Sequence, residues 1–384
     1  MTDLAAALRA AGFCRPDYGG LCLDGVLPAA VAALGVDVPG GAAARERLGV
    51  PVASRVCVVL VDGLGQLMLT ERAGHAPFLR GLLGGGLVLT SGFPSTTAAS
   101  LGLFGTGSGP GRTGLAGYTV RNPATGSLAN LVSWTGAGPP EQWQREPSIF
   151  SLAAAAGASV TSVGPAKFAG SGLTVAALSG GAYRAAEGLD ERVDATVAAL
   201  ARPGLVYLYW GAVDKIGHGA GWQSSTWADA LAETDRELAR LARSLPTGTV
   251  LMITADHGMV DIDPEQLVDL ALTPELAADV ELVAGEPRAT HVHTAPGTAA
   301  DVLERWRVTL GEKAVVVPRA EAVADGWFGP VLEHVLPMIG DLVVAARGRA
   351  GVVDSRTQTP HSLHLRGMHG SLTPGEMLVP LLIA

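Results

Sequence analysis

Short apolar runs bounded by Gly, Asp or Pro alternate along the chain with longer Ala/Leu segments that carry regularly spaced charges. That rhythm predicts βα units around a mostly parallel sheet, an α/β class fold. Buried strands are expected over 55–61, 87–90, 159–163, 205–209, 250–254, 342–345 and 377–383. Helices are expected over 76–83, 148–156, 189–201 and 226–244. In the last of these, Trp227, Leu231, Thr234, Leu238, Leu241 and Leu245 recur near the helical period, with Glu233, Arg236, Glu237 and Arg240 between them. Such a stripe packs on a core; it is not a partner motif.

Between 280 and 323 the rhythm changes to strand (280–283), strand (290–294), helix (298–309) and strand (314–318). This is the pattern of a small α+β lobe, expected as a cap inserted into the main domain. The chain then divides into an N-terminal helical extension packed on the core (1–50), the first part of the α/β core (51–279), the cap (280–323) and the C-terminal part of the core (324–384). A short helix is expected over 1–12. The passage 102–117 is rich in Gly and Pro and holds a formal G-x-G-x-x-G at Gly109, Gly111 and Gly114. A dinucleotide fingerprint needs a strand before it and a helix after it. Here Pro110 interrupts the motif and 115–120 reads as extended, so it is taken as a loop.

Composition narrows the class. With 384 residues, 48% hydrophobic and 16% charged, the chain can bury a large core. The balance of 27 Lys+Arg against 36 Asp+Glu, net −9, argues against coating a nucleic-acid polymer or an anionic membrane. Lysine occurs only at Lys167, Lys215 and Lys313. Cys14, Cys22 and Cys57 fall outside every polar constellation, so neither a disulfide framework nor a thiolate metal site is expected. Apolar runs such as 205–210 fall far short of the roughly 20 residues that span a bilayer, and the first residues lack a basic leader. A cytoplasmic protein is the expectation.

Four segments place metal-type ligands at or just beyond apolar runs, where α/β proteins keep their sites. Asp62 follows Val58-Val59-Leu60-Val61 and precedes Gly63. Asp214 and His218 lie four residues apart beyond 205–209. Asp256 and His257 are adjacent at the end of 250–254, where Gly258 permits the turn that would aim both at one site. His369 stands in Met368-His369-Gly370, just before the last strand. Each residue alone is as readily a helix cap or a hydrogen-bonded structural group. Together, three carboxylates and three imidazoles suit Zn²⁺, Mn²⁺ or Fe rather than an all-oxygen Ca²⁺ or Mg²⁺ site. Six ligands suffice for two ions. Phe93-Pro94-Ser95-Thr96-Thr97 adds adjacent hydroxyls ahead of a helical segment, where backbone N–H groups can receive a phosphate oxygen.

The order Val-Asp-Gly, Phe-Pro-Ser-Thr-Thr, Asp-x-x-Gly-His, Ala-Asp-His-Gly-Met, Met-His-Gly resembles the alkaline phosphatase superfamily, and within it the nucleotide pyrophosphatase/phosphodiesterase branch. The likeness runs from about Val56 to the C-terminus. It implies an alkaline-phosphatase-like three-layer sandwich with a mostly parallel central sheet. It further implies that Asp62, Thr97, Asp256 and His257 surround one metal while Asp214, His218 and His369 hold another, two zinc ions being usual. Thr97 matches the family nucleophile, with Thr96 its nearest competitor, and the implied chemistry is hydrolysis of phosphodiester or pyrophosphate bonds through a phospho-threonine ester. Two positions depart from the branch: Tyr118 stands where an asparagine binds a phosphate oxygen, and Thr113 replaces the histidine of the same turn.

A tyrosine hydroxyl at 118 can donate the same hydrogen bond. His361 and His364 lie close upstream of His369; either can line the pocket, though a structural role is the simpler reading. His291 and His293 share one face of the cap and are read as packing rather than a third metal site. The expected partner is a small phosphoester, and no feature specifies an oligomeric state. The alternatives carried forward are a phosphomonoesterase or phosphonate hydrolase on the same site, a transferase using the same first half-reaction, and a non-catalytic zinc-binding scaffold. A sulfatase is disfavoured, because no Cys or Ser in a sulfatase-type motif occupies the nucleophile position.

Overall fold

In the computed structural model, which describes residues 4–384, the aliphatic run Arg55–Val61 is the middle strand of a seven-stranded sheet. The spatial order is Leu87–Thr90, Leu378–Ile383, Thr249–Thr254, Arg55–Val61, Gly204–Trp210, Val160–Gly164 and Ala182–Ala185. Arg55–Val61 pairs in parallel with both neighbours, and every residue after Arg55 is buried, as a strand covered on both faces requires. Leu378–Ile383 runs antiparallel to Thr249–Thr254 and to Leu87–Thr90. The sheet is therefore parallel in its centre and antiparallel on one side. Helices cover it: Ser225–Ser244 buries Trp227, Leu231, Leu238 and Leu241, and its N-cap Ser224 accepts a hydrogen bond from the Trp227 amide.

The predicted strands and helices recur with their ends moved by a residue or two, except that the strand expected over 280–283 extends three residues further, as Val280–Glu286. Ala182–Ala185 was not anticipated; it is an edge strand with three exposed residues out of four. The Gly-rich passage contains a short helical turn, Pro110–Thr113, preceded by helix Thr97–Thr106 rather than by a strand, which removes the nucleotide fingerprint. Beyond it, Thr119–Arg121 and Leu128–Asn130 form a hairpin. Of the helix expected over 1–12, Leu4–Ala10 is observed and the first three residues lie outside the described part. Helices Val26–Ala33 and Gly41–Arg47 follow, and Val26, Leu27 and Val31 pack into the main core.

The small lobe has a four-stranded antiparallel sheet in the order Val280–Glu286, Ala289–Thr294, Leu342–Ala346, Ala314–Pro318. Its third strand comes from beyond 323, the expected end of the cap. Leu342–Ala346 is buried along its whole length, and an all-apolar strand finds that environment in the interior of this small sheet rather than in the large one. Helix Ala299–Leu310 closes one face through Val302, Trp306 and Leu310. Among the described residues no helix is long and apolar enough to cross a membrane, and all three cysteines are free.

Candidate active site

The six predicted ligands and Thr97 converge at the carboxyl ends of the central strands, as sites in open parallel sheets do. Asp62 follows Arg55–Val61; its amide donates to the Trp210 carbonyl, continuing the ladder. Gly63 then turns with φ +72, and a Cβ there would lie 2.8 Å from the Asp214 Cβ. Only glycine fits that close approach. Asp256 and His257 follow Thr249–Thr254, and Asp256 Oδ1 accepts from the amides of Gly63 (3.1 Å) and His257 (3.0 Å). Asp214 lies in the first turn of helix Ala212–Ala220, with His218 one turn on; His218 Nε2 is 3.4 Å from Asp214 Oδ2. Thr97 opens helix Thr97–Thr106, and its Oγ1 lies 3.2 Å from His257 Nε2. Thr96, the competing hydroxyl, is the buried N-cap of that helix.

Donor atoms of Asp62, Asp256 and His257 lie within 4.8 Å of one another, and so do those of Asp214, His257 and His369. His257 thus belongs to both groups, whereas the resemblance assigned it to one. His218 joins the second group through its 3.4 Å contact with Asp214 and the 3.3 Å separation of its Nε2 from that of His369. The imidazoles of His257 and His369 stack at 3.7 Å.

The protonation pattern of the imidazoles is set by the main chain. Nδ1 of His218, His257 and His369 lies 2.7, 3.0 and 2.9 Å from the carbonyls of Gly367, Gly258 and Ser95. A carbonyl only accepts, so each Nδ1 carries the hydrogen and each Nε2 presents a lone pair inward. Three carboxylate oxygens, Asp62 Oδ1, Asp214 Oδ1 and Asp256 Oδ2, are buried without any hydrogen-bond partner. Lone pairs facing lone pairs in a buried site repel unless a cation lies among them, and that donor set fits divalent metal ions. Burial, then the neighbouring Asp256 and Asp214, raises the Asp62 pKa well above the usual carboxylate range. Burial likewise raises Asp256, against the opposing pull of His257. Burial and the adjacent His257 and His218 depress His369.

Three supporting groups escaped the sequence reading. Tyr209 donates its hydroxyl to Asp62 Oδ2 at 2.5 Å, leaving Oδ1 free to face the site. Glu286, buried, accepts from the Tyr118 amide at 2.7 Å and packs on Gly370, where a Cβ would lie 2.6 Å from its Cγ. Arg288 and Glu376, both fully buried, form a two-pronged ion pair (2.7 and 3.0 Å) that ties the small lobe to the loop following His369. Tyr209 could have been suspected from its place at a strand end; the other two carry no local signature. Tyr118 has an exposed side chain and is placed beside the site through Glu286. His364 is exposed and its Nδ1 bonds the Pro360 carbonyl of its own turn. His291 is buried packing, with Nε2 donating to the Ala116 carbonyl and Nδ1 accepting from the Gly340 amide. His361 is exposed.

A doubly covered sheet with carboxylates and imidazoles gathered at its carboxyl edge beside a helix-terminal hydroxyl defines a hydrolase of the alkaline phosphatase superfamily. The chain belongs to the type I phosphodiesterase / nucleotide pyrophosphatase family, whose sequence profile it matches over residues 56–372. It is an enzyme of the phosphoester-hydrolysing type that defines this family. Its fold is similar to that of murine ectonucleotide pyrophosphatase / phosphodiesterase 5 (16% identity over 85% of this chain and 87% of that one, TM-score 0.68). It is also similar to phosphonoacetate hydrolase from Sinorhizobium meliloti 1021 in complex with phosphonoformate (21% identity, 87% and 90% coverage, TM-score 0.67). An inactive variant of the murine protein is known in complex with AMP, matching at 16% identity, 85% and 87% coverage and TM-score 0.66. No curated protein sequence matches the chain significantly.

Proposed function

We propose that this enzyme hydrolyses phosphodiester or pyrophosphate bonds of small molecules through a covalent phospho-threonine at Thr97. The observation that carries the reading is the position of the Thr97 hydroxyl, 3.2 Å from the Nε2 of His257, the imidazole common to both donor groups. In this reading Asp62, Thr97, Asp256 and His257 hold one divalent cation and Asp214, His218 and His369 hold a second, zinc suiting the mixed nitrogen and oxygen donors. Such ions supply positive charge that makes the hydroxyl easier to ionise and stabilises oxygen charge in the transition state.

Thr97 Oγ1, having lost its proton to solvent, forms a bond to phosphorus in line with the departing oxygen. The P–O bond to the leaving alcohol or phosphate breaks, and the leaving oxygen takes a proton from water. A water oxygen then attacks the phospho-threonine, the P–Oγ1 bond breaks and the hydroxyl is restored. Asp62, held by Tyr209, and the three carbonyl-anchored imidazoles keep the donors fixed through both steps. Tyr118 is proposed to donate to a phosphate oxygen, with His364 at the rim, while the lobe over 280–323 shapes access.

Thr97→Ala is expected to keep the fold and bound metal while turnover of bis(p-nitrophenyl) phosphate disappears. Retention of most activity would remove Thr97 as nucleophile. Activity lost to EDTA should return with Zn²⁺ or Mn²⁺. A second reading, a phosphonate hydrolase on the same centre, is supported by the similarity of the fold to phosphonoacetate hydrolase. Phosphonoacetate assayed beside the bis-ester and p-nitrophenyl phosphate separates these substrates.

A further inference from the structure

On the side of the small lobe away from Glu286, an open cleft of about 510 Å³ lies between the hairpin Thr119–Arg121/Leu128–Asn130, the strand Ala289–Thr294 and the 336–341 segment. It is lined by Arg121, His293, Arg319 and Asp341, with Pro123, Leu336 and Pro337 supplying apolar wall. Its floor is His293, which is 1% exposed, and whose Nε2 has no hydrogen-bond partner. A buried ring nitrogen left unpaired is costly and calls for an explanation that packing does not give. The contrast with His291, two residues earlier on the same face, is direct, since both of its ring nitrogens are bonded.

In a chain of net charge −9, two guanidinium groups line the cleft with this ring, each with one carboxylate beside it, Glu281 at Arg121 and Asp341 at Arg319. Arg121 has only a loose 3.7 Å contact with Glu281, and both side chains are part exposed. Arg319 is held rigidly by Asp341 (2.7 Å) and by the carbonyls of Leu336 (3.0 Å) and Ile339 (2.8 Å). Burial, reinforced by His291, Arg121 and Arg319, lowers the His293 pKa to about 3, so its ring is neutral and one nitrogen carries a hydrogen. Two guanidinium groups and an imidazole N–H approaching from different walls match a tetrahedral oxyanion better than a planar carboxylate. The volume lies in the range that holds a small organic ligand.

We propose that this cleft is a second ligand site, separate from the Thr97 centre, that binds a phosphomonoester dianion through Arg121, Arg319 and His293 Nε2, with its organic group against Leu336 and Pro337. His293 pairs with Leu282 and Ala289 with Glu286. The cleft and Glu286, which packs on Gly370 next to His369, are thus four residues apart along one strand, roughly 14 Å at about 3.4 Å per residue.

The test is calorimetric titration of the zinc-loaded full chain with phenylphosphonate. Two equivalents are expected, one at the Thr97 centre and one in the cleft. Arg121→Gln should weaken the second about tenfold or more while leaving the first, and turnover of bis(p-nitrophenyl) phosphate, unchanged; His293→Gln should weaken it as well. A wild type that shows no equivalent weakened by Arg121→Gln and His293→Gln overturns the proposal. Inorganic phosphate should fill the same site more weakly, and equal affinity would overturn the role given to the apolar wall. Should the Thr97 reading fail instead, the first equivalent is the one lost.

Discussion

Replacing Arg288 with alanine removes one half of an ion pair in which neither side chain is exposed. Its guanidinium meets Glu376 twice, at 2.7 and 3.0 Å, and also donates to the carbonyls of Ala350 and Arg347. Breaking a buried pair from one side costs about 3–5 kcal/mol, because the surviving charge stays buried without its partner. Here Glu376 retains the Ser371 amide (3.0 Å) and the Thr373 hydroxyl (2.5 Å), which pulls the figure toward the lower end. The Arg347 carbonyl keeps the Ala350 amide, while the Ala350 carbonyl loses its guanidinium donor and adds roughly 1 kcal/mol, so about 4–5 kcal/mol is expected in all. Urea unfolding followed by tryptophan fluorescence measures it, since Trp306 and Trp327 are buried in and beside the small lobe. The double variant Arg288→Met, Glu376→Gln, with no charge left to strand, should recover most of the loss. A loss below about 1 kcal/mol in Arg288→Ala, or a double variant no better than the single, would refute the account. Arg288→Ala should also release metal to a chelator sooner, because the tethered loop carries His369.

Tyr209→Phe removes the hydrogen bond that orients Asp62 and should weaken metal binding about 10–100-fold in a chelator competition, with little change in far-ultraviolet circular dichroism. Gly63→Ala forces a side chain into φ +72 and within 2.8 Å of Asp214 Cβ, so activity should fall to background while the central sheet survives, read by activity beside thermal melting. Burial, opposed by the Tyr118 amide and aided by Glu376, pushes the Glu286 pKa from 4.5 up to about 8. A raised acid contributes stability that is complete below about pH 4.5 and is lost as pH climbs through 8, at about 1.4 kcal/mol per pH unit between them. Glu286→Gln should therefore gain steadily on the wild type from pH 5 to pH 8 in parallel unfolding curves; parallel, pH-independent offsets would contradict the assignment.

Much of this architecture is legible because central strands of a parallel sheet declare themselves. Arg55–Val61 is aliphatic on both faces and stops at an Asp-Gly turn, and its ends were read correctly. Ala182–Ala185 was invisible for the converse reason, an exposed edge with no apolar alternation. The assignment of Leu342–Ala346 to the small sheet depends on pairing with Ala289–Thr294 and Ala314–Pro318, a long-range choice that local pattern does not encode. At the site, ligand types at strand ends were readable because each motif is local. Arg288 and Glu376 were not, being 88 residues apart. Nor did the strand pattern distinguish His291, bonded on both nitrogens, from His293, which faces a cleft.

The anchoring of all three imidazoles to peptide carbonyls, those of Gly367, Gly258 and Ser95, leaves their aim to the polypeptide's own spine rather than to neighbouring side groups. Residues around the mouth of such a centre are free to drift toward new substrates without retuning its core, whereas tilting a single peptide plane beneath one ring would disable it. A reactive heart insulated in this way from its surroundings is a natural starting point for diversification by surface change alone.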